Sequence, residues 1–330
     1  MHYEFLGDTG VVVSKLAFGT MPFGGDADSA MSRELFSRCR GVGINLYDTA
    51  DVYNAGRSEE ILGELVDDCR DEVLIATKAY FPTGPDVNAQ GASRRHLRTA
   101  VEASLRRLRT DRIDLYYIHR FDGKTALEET LRTLDDMVSA GKVLYLGASN
   151  YAAWQVQKAL GISALHGWAA FKAIQPMYNL VKRQAEVEIL PQASAAGLGV
   201  FPYSPLGGGL LTGKYAGGPE SASGRLASNR MYATRYGDET SFAAAASFAA
   251  FARERGWDPA ALAVAWVGSH PAVTAPLIGA RTVSQLEASL GALEIEVTPA
   301  LRAEISALTP HPAPATDRSE EGTAHAMLVR

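Results

Sequence analysis

From residue 16 onward, short apolar runs alternate with longer amphipathic stretches. The runs at 16–20, 44–49, 73–78, 113–119, 143–149, 170–175, 199–204 and 273–279 are too short for helices. Most are apolar almost throughout instead of alternating, the pattern of parallel strands covered on both faces. Between them, apolar residues recur at helical spacing over 29–40, 58–68, 93–108, 125–140, 152–160, 183–196 and 283–291. The boundaries carry their own signals: Gly41 and Gly43 stop the first helix, and Ser58 caps the second with Glu59 and Glu60 in its first turn.

All strands but the last follow one another at roughly the ~30-residue repeat of a βαβ unit, and the last comes after a longer excursion. Eight strands with intervening helices predict an α/β fold, either an open doubly wound sheet or a closed barrel. An open sheet of the dinucleotide-binding type carries G-x-G-x-x-G after its first strand, and Phe18-Gly-Thr-Met-Pro-Phe-Gly-Gly25 lacks that spacing. The (β/α)8 barrel, or TIM barrel, is preferred, as a single domain over 1–330. Residues 2–6 and 11–13 around Gly7-Asp-Thr-Gly10 add an N-terminal β-hairpin that closes the bottom. The Gly-, Ser-, Ala- and Tyr-rich stretch 206–240 reads as a mobile loop, and 241–269 as two helices broken near Gly256-Trp-Asp-Pro259. A last helix covers 298–308, and 310–330 form a C-terminal tail.

Composition narrows the class. Hydrophobic residues make up 47% and charged residues 21%, which favours neither disorder nor a membrane protein. A net charge of −5 without a Lys/Arg block argues against a nucleic-acid surface. No basic-then-apolar leader opens the chain, so a cytoplasmic location is expected. Cys39 and Cys69 lie in helical stretches without metal-ligand spacing and read as reduced structural thiols. The oligomeric state is left open.

The candidate chemistry sits where strands end. Asp48 and Tyr53 flank the end of the 44–49 run, Lys78 ends the next, and His119 the one after. Alone, each reads as an ordinary rim or core residue; on neighbouring parallel strands they converge at the C-terminal mouth of a barrel, where such enzymes place their sites. A phenol near pKa ~10 becomes a usable acid beside an ammonium, so Tyr53 is expected to give a proton to a carbonyl oxygen. Lys78 and Asp48 would tune it, and His119 would orient the carbonyl. With no Cys nucleophile and no metal cluster, the electron pair is expected from a nicotinamide cofactor. Ser149, Asn150 and Gln175 offer groups for its carboxamide and Tyr203 a ring for stacking. Arg281, at the turn from the last strand into a helix, suits a phosphate and favours NADP(H) over NAD, with Lys214 reaching the pyrophosphate. A strand-end lysine could instead make Lys78 the Schiff base of an aldolase.

The motifs Tyr47-Asp-Thr-Ala-Asp-Val-Tyr53 with Ser58-Glu59, Ala76-Thr-Lys78, Tyr117-Ile-His119, Gly147-Ala-Ser-Asn150, Gln175-Pro-Met-Tyr-Asn179, Tyr203-Ser-Pro-Leu206 with Leu211-Thr-Gly-Lys214, and Gly279-Ala-Arg281 with Gln285 resemble those of the aldo-keto reductases over nearly the whole chain. The Tyr-Ser-Pro-Leu and Gly-Ala-Arg forms are similar to the bacterial and potassium-channel β-subunit branch. The resemblance implies NADPH-dependent reduction of aldehydes or ketones by a tetrad of Asp48, Tyr53, Lys78 and His119. It also implies cofactor contacts from Thr20, Met21, Asp48, Ser149, Asn150, Gln175, Tyr203, Ser204, Leu206, Lys214, Gly279, Arg281 and Gln285. Ser289 departs from the pattern, standing where many relatives carry an adenine-binding Asn. The channel-subunit likeness leaves open a regulatory module that binds NADPH and turns over slowly. Asp51 is expected to cap a loop, Tyr116 and Tyr117 to pack on opposite faces of their strand, and Phe81, Tyr232 and Tyr236 to line a substrate pocket.

Overall fold

The structure is a computed structural model that describes residues 1–215, 226 and 229–316. Strands β1 (Tyr3–Phe5) and β2 (Val12–Ser14) form the antiparallel hairpin. Eight parallel strands follow: β3 (Ala17–Gly19), β4 (Leu46–Asp48), β5 (Leu74–Ala79), β6 (Ile113–Ile118), β7 (Val143–Ser149), β8 (Phe171–Gln175), β9 (Gly199–Val200) and β10 (Leu277–Ile278). They pair in the order β10-β3-β4-β5-β6-β7-β8-β9. The ring closes between its first and last members through backbone bonds from Ala275 N to Val200 O (3.2 Å) and Leu277 N to Pro202 O (2.8 Å). The barrel expected from the sequence is therefore the fold observed.

Helices α1 (Ser29–Gly41), α2 (Arg57–Val66), α3 (Arg94–Leu108), α4 (Leu127–Ser139), α5 (Ala153–His166) and α6 (Ile189–Ala195) follow β3 to β8 in turn. After β9 come a 3₁₀ turn (Gly207–Thr212), α7 (Arg230–Tyr236), α8 (Glu239–Glu254) and α9 (Pro259–Gly268). Helices α10 (Val283–Leu290) and α11 (Pro299–Ser306) complete the described chain. Several bounds differ from the periodicity for local reasons. Pro202 and Pro276 lack an N–H, so β9 and β10 shrink to two residues each. The helix expected over 183–196 splits into a 3₁₀ turn, Gln184–Glu186, and α6, which starts late enough to hold Pro191 in its first turn. The 206–240 stretch holds ordered elements, with Asn229 capping α7 through a bond to Met231 N. Its residues 216–225 and 227–228 lie outside the described residues, as does the tail beyond 316.

Strand alternation splits the core into two shells. Phe18, Tyr47 and Ile75 lie abreast in the register and point outward to the helices. Leu46, Ala76, Leu115, Tyr117 and Ala173 fill the interior, joined from below by Leu6 and Val13 of the hairpin. Tyr116 faces out and Tyr117 in, as expected. Gly147 leaves the space the Tyr117 ring occupies, since a Cβ there would stand 2.4 Å from two of its carbons. The same alternation sets the upper layer. Asp48, Lys78, His119 and Gln175 each lie two residues beyond an inward core residue, so all four reach one end of the barrel.

Candidate active site

A cavity of about 580 Å³ opens at this end, and Asp48, Tyr53 and His119 lie on its wall. Lys78 is fully buried and Asp48 2% exposed. The Lys78 ammonium is bonded to Asp48 Oδ1 and to Thr49 O (2.7 Å), while Asp48 Oδ2 accepts from Gln175 Nε2 (2.8 Å). Each charge thus has the partners that a buried ion requires. Burial pushes the carboxyl up and the ammonium down, each toward the other, and their mutual attraction opposes both shifts.

Tyr53 is held differently. It opens a 3₁₀ turn, Tyr53–Gly56, in which Asn54 (φ 48°) and Ala55 (φ 56°) both adopt the left-handed conformation. That costs roughly 1–2 kcal/mol per non-glycine residue. Asn54 Nδ2 offsets part of it by donating to Met21 O (2.9 Å) and Phe23 O (2.8 Å). The Lys78 ammonium lies 5.2 Å from the centre of the Tyr53 ring, and His119 meets that ring edge-on at 5.9 Å. The expected lowering of the phenol is not what the site does. Burial and the Asp48 charge hold Tyr53 well above the ordinary tyrosine value, because Asp48 already neutralises Lys78. The His119 imidazole is driven well below its usual range by burial first and Lys78 second, so it is neutral. Its Nδ1 is buried without a partner.

The other rim residues are linked to this group. Asn150, left-handed at φ 57°, donates through Nδ2 to His119 O (2.9 Å) and Ser149 Oγ (3.0 Å). Its Oδ1 accepts from the Tyr203 hydroxyl (2.7 Å), and Ser149 Oγ donates to Gln175 O (3.0 Å). The same cavity is also lined by Ser204, Leu206, Gly208, Gly209, Lys214, Gly279, Arg281, Gln285 and Ser289. Arg281 lies at the entry to α10, 3.9 Å from the Asp26 carboxylate. Met21 is also on the wall. Thr20 is not: it is fully buried, its hydroxyl between Asp48 O (3.1 Å) and Ser58 Oγ (2.9 Å). Its hydroxyl and its N–H both bond Asp48 O and so hold the end of β4.

Phe81 and Tyr232 line the cavity, with Phe81 edge-on to His119 at 4.9 Å, whereas Tyr236 turns away to Asn179 Nδ2 (3.2 Å). Met231, Arg235 and Thr212 are wall residues that the sequence reading missed. The Asn229 cap was the one available signal for the helix bearing two of them. Among the described residues no cluster of His, Cys, Asp and Glu could hold a metal, and no helix is long and apolar enough to cross a membrane. Cys39 and Cys69 are free thiols.

An eight-stranded barrel with a tyrosine, a lysine, an aspartate and a histidine at its C-terminal mouth is the architecture of a family of oxidoreductases. The model of the aldo/keto reductase family matches residues 15–309, and the chain belongs to that family. It is similar to an uncharacterized oxidoreductase, YrpG, of Bacillus subtilis, 36% identical over 94% of this chain and 97% of that protein. A probable voltage-gated potassium channel subunit beta of Oryza sativa subsp. japonica is 35% identical over 89% and 92%. Versiconal hemiacetal acetate reductase of Aspergillus parasiticus is 33% identical over 91% and 94%. The likeness to bacterial oxidoreductases and channel β subunits expected from the sequence motifs is found.

Proposed function

We propose that the protein reduces aldehydes or ketones to alcohols with NADPH, and that Tyr53 supplies the proton. The observation that carries this reading is the placement of the Tyr53 ring between the Lys78 ammonium and the neutral His119, on the wall of one cavity. The cavity suits a dinucleotide by its donor set. Amide and hydroxyl groups of Ser149, Asn150 and Gln175 and the ring of Tyr203 are hydrogen-bonded to the tetrad group, and the same cavity is lined by Lys214 and Arg281. The positive φ at Gly208 (67°) and Gly209 (96°) lets the backbone between them approach closely. Bound there, the nicotinamide would supply the hydride that reduces the carbonyl carbon.

The chain's own residues do the rest. His119 Nε2–H donates to the carbonyl oxygen and orients it. As negative charge develops on that oxygen, Tyr53 passes its proton to it, giving the alcohol. The phenolate left behind is stabilised by the Lys78 ammonium, whose position is set by Asp48 and Thr49 O. A phenol that resists ionisation in the resting site keeps its proton until the oxygen can take it. Water then restores the proton.

The Schiff-base alternative finds no support in the geometry, since Lys78 is fully buried, doubly bonded and absent from the cavity wall. A slow regulatory module is favoured by one observation, the similarity to channel β subunits. Replacing Tyr53 by Phe tests the main reading. Steady-state NADPH oxidation with a carbonyl panel is expected to fall ~10²-fold or more, while NADPH affinity measured by fluorescence is unchanged. Near-normal turnover in the variant refutes Tyr53 as donor, and negligible turnover in the wild type on every carbonyl favours the regulatory module.

A further inference from the structure

The segment that carries Tyr53 contains a second acid that the reaction above does not use. Asp51 is 3% exposed, and neither of its buried carboxylate oxygens has a hydrogen bond of good geometry, the Val52 N–H being a weak donor to them and no side chain bonding them. Its own N–H donates to Lys78 O (3.1 Å), which pins it against β5. Around it lies a polar pocket outside the sheet. Thr77 and Tyr116 are paired in the β5–β6 register, on the opposite side from Lys78 and Tyr117. Glu59 of α2 is fully buried and accepts from Thr77 Oγ1 (2.6 Å) and from Arg107 Nε of α3 (2.6 Å). The Tyr116 hydroxyl, from β6, is a further buried group without a partner.

Two buried acids therefore lie within the field of one guanidinium, and it is bonded to Glu59. A carboxylate left in such a place costs several kcal/mol, and protonation removes that cost. Burial, and after it the Glu59 charge, push Asp51 up to about 8. Arg107, the Val52 N–H and the Lys78 ammonium pull the other way without offsetting them. Asp51 is not a surface loop cap but a buried acid two residues before Tyr53.

We propose that Asp51 is a positioning residue, held as the neutral acid between the sheet and helices α2 and α3, and that its ionisation loosens the segment that presents Tyr53 to the cavity. The proposal rests on the reading of Tyr53 as proton donor. Its mechanism is local. A charge with no partner draws water to itself, and the backbone that must give way already holds Asn54 and Ala55 in a costly conformation.

The sign of the linkage follows from the raised value. The folded protein keeps a proton that the unfolded chain releases near pH ~4. Stability contributed at low pH is therefore lost as pH rises from ~4 toward ~8, and levels off beyond. The isosteric variant Asp51→Asn cannot ionise and lacks that slope.

The test compares full-length wild type and Asp51→Asn, each loaded with NADPH, by melting temperature and by kcat for one aldehyde between pH 6 and 9.5. The difference in melting temperature in favour of the variant is expected to grow up to about pH 8 and then hold, as linkage requires. Wild-type kcat is expected to fall about tenfold by pH 9, one unit above the acid's value, relative to the variant. Parallel melting curves, or the same alkaline limb in both proteins, overturn the proposal. The melting comparison does not depend on Tyr53, so an active Tyr53→Phe variant would remove the catalytic reading and leave this measurement decisive for Asp51. Should the variant fail to fold, infrared spectra of wild type carrying carboxyl-labelled aspartate decide. A protonated-acid C=O band at pH 7 that vanishes by pH 9 supports the assignment, and its absence at pH 7 refutes it.

Discussion

The Asp48–Lys78 pair allows stability and catalysis to be separated in one experiment. In Lys78→Met the thioether keeps most of the volume but removes the charge, and Asp48 remains buried with Gln175 Nε2 (2.8 Å) as its sole side-chain partner. Breaking a buried pair from one side costs about 3–5 kcal/mol, because the surviving ion is uncompensated, whereas replacing both partners by neutral groups of similar size is often nearly neutral. The double variant Asp48→Asn/Lys78→Met should therefore be more stable than Lys78→Met by roughly 2–4 kcal/mol. Urea midpoints of the wild type, both single variants and the double variant, taken at equal slope, give the coupling. Carbonyl reduction should be lost in Lys78→Met and in the double variant, by about 10²-fold or more, since neither keeps an ammonium to stabilise the phenolate. Additive midpoints, or a Lys78→Met variant within ~1 kcal/mol of wild type, would refute the account of this pair as a closed and mutually dependent ion pair. Recovery of turnover together with stability in the double variant would refute the electrostatic role of Lys78.

Arg281→Ala is expected to weaken NADPH about tenfold or more while changing NADH little, because a 2′-phosphate rewards a bidentate cation; fluorescence titration with both cofactors checks it, and equal losses would remove the phosphate role. His119 is held neutral, and burial likewise lowers His96 and takes His270 down to about 4. Their lowered values mean that protons bind the unfolded chain preferentially, so melting temperature should fall as pH drops below about 6.5. Reduction measured as kcat/KM should show no histidine limb between pH 5.5 and 7.5; a limb centred near 6.5 would contradict a neutral His119. Gly147→Ala places a Cβ 2.4 Å from the Tyr117 ring and should lower stability by about 1–3 kcal/mol, read by urea denaturation.

How much of this was legible in the chain follows from which forces act locally. The strand runs and their polar ends placed Asp48, Lys78, His119 and Gln175, because a period of two in a closed parallel sheet carries the inward face from core to rim without further information. Strand ends shortened by Pro202 and Pro276, and a helix split before Pro191, were also foreseeable in principle, since each follows from one missing N–H. Other features were not local. That Thr20 is buried and braces Asp48 O depends on where Ser58 of α2 comes to rest. The Tyr53 phenol was expected to be acidified by Lys78; its shift is in the other direction because Asp48 and burial outweigh a cation that is already paired. Asp51 looked like a loop residue because nothing in the order Thr49-Ala-Asp51 shows that Glu59 and Arg107 will enclose it. Arg235 and Met231 reach the wall only through α7, in a stretch whose composition resembles a loop.

Tyr203, Asn150 and His119 come from three different strand ends and are joined into one hydrogen-bonded arc, with Ser149 and Gln175 continuing it to Asp48. Phe81, Met231 and Tyr232, by contrast, stand on excursions beyond the strands. The hydrogen-bonded arc and the outer wall are thus carried by different parts of the chain, strand ends for the one and the intervening segments for the other. Met231, on the wall and outside these ring contacts, is the position where variation is expected to change the choice of substrate with least effect on Tyr53 and His119, whereas Phe81 packs edge-on against His119 and Tyr232 acts on Tyr53.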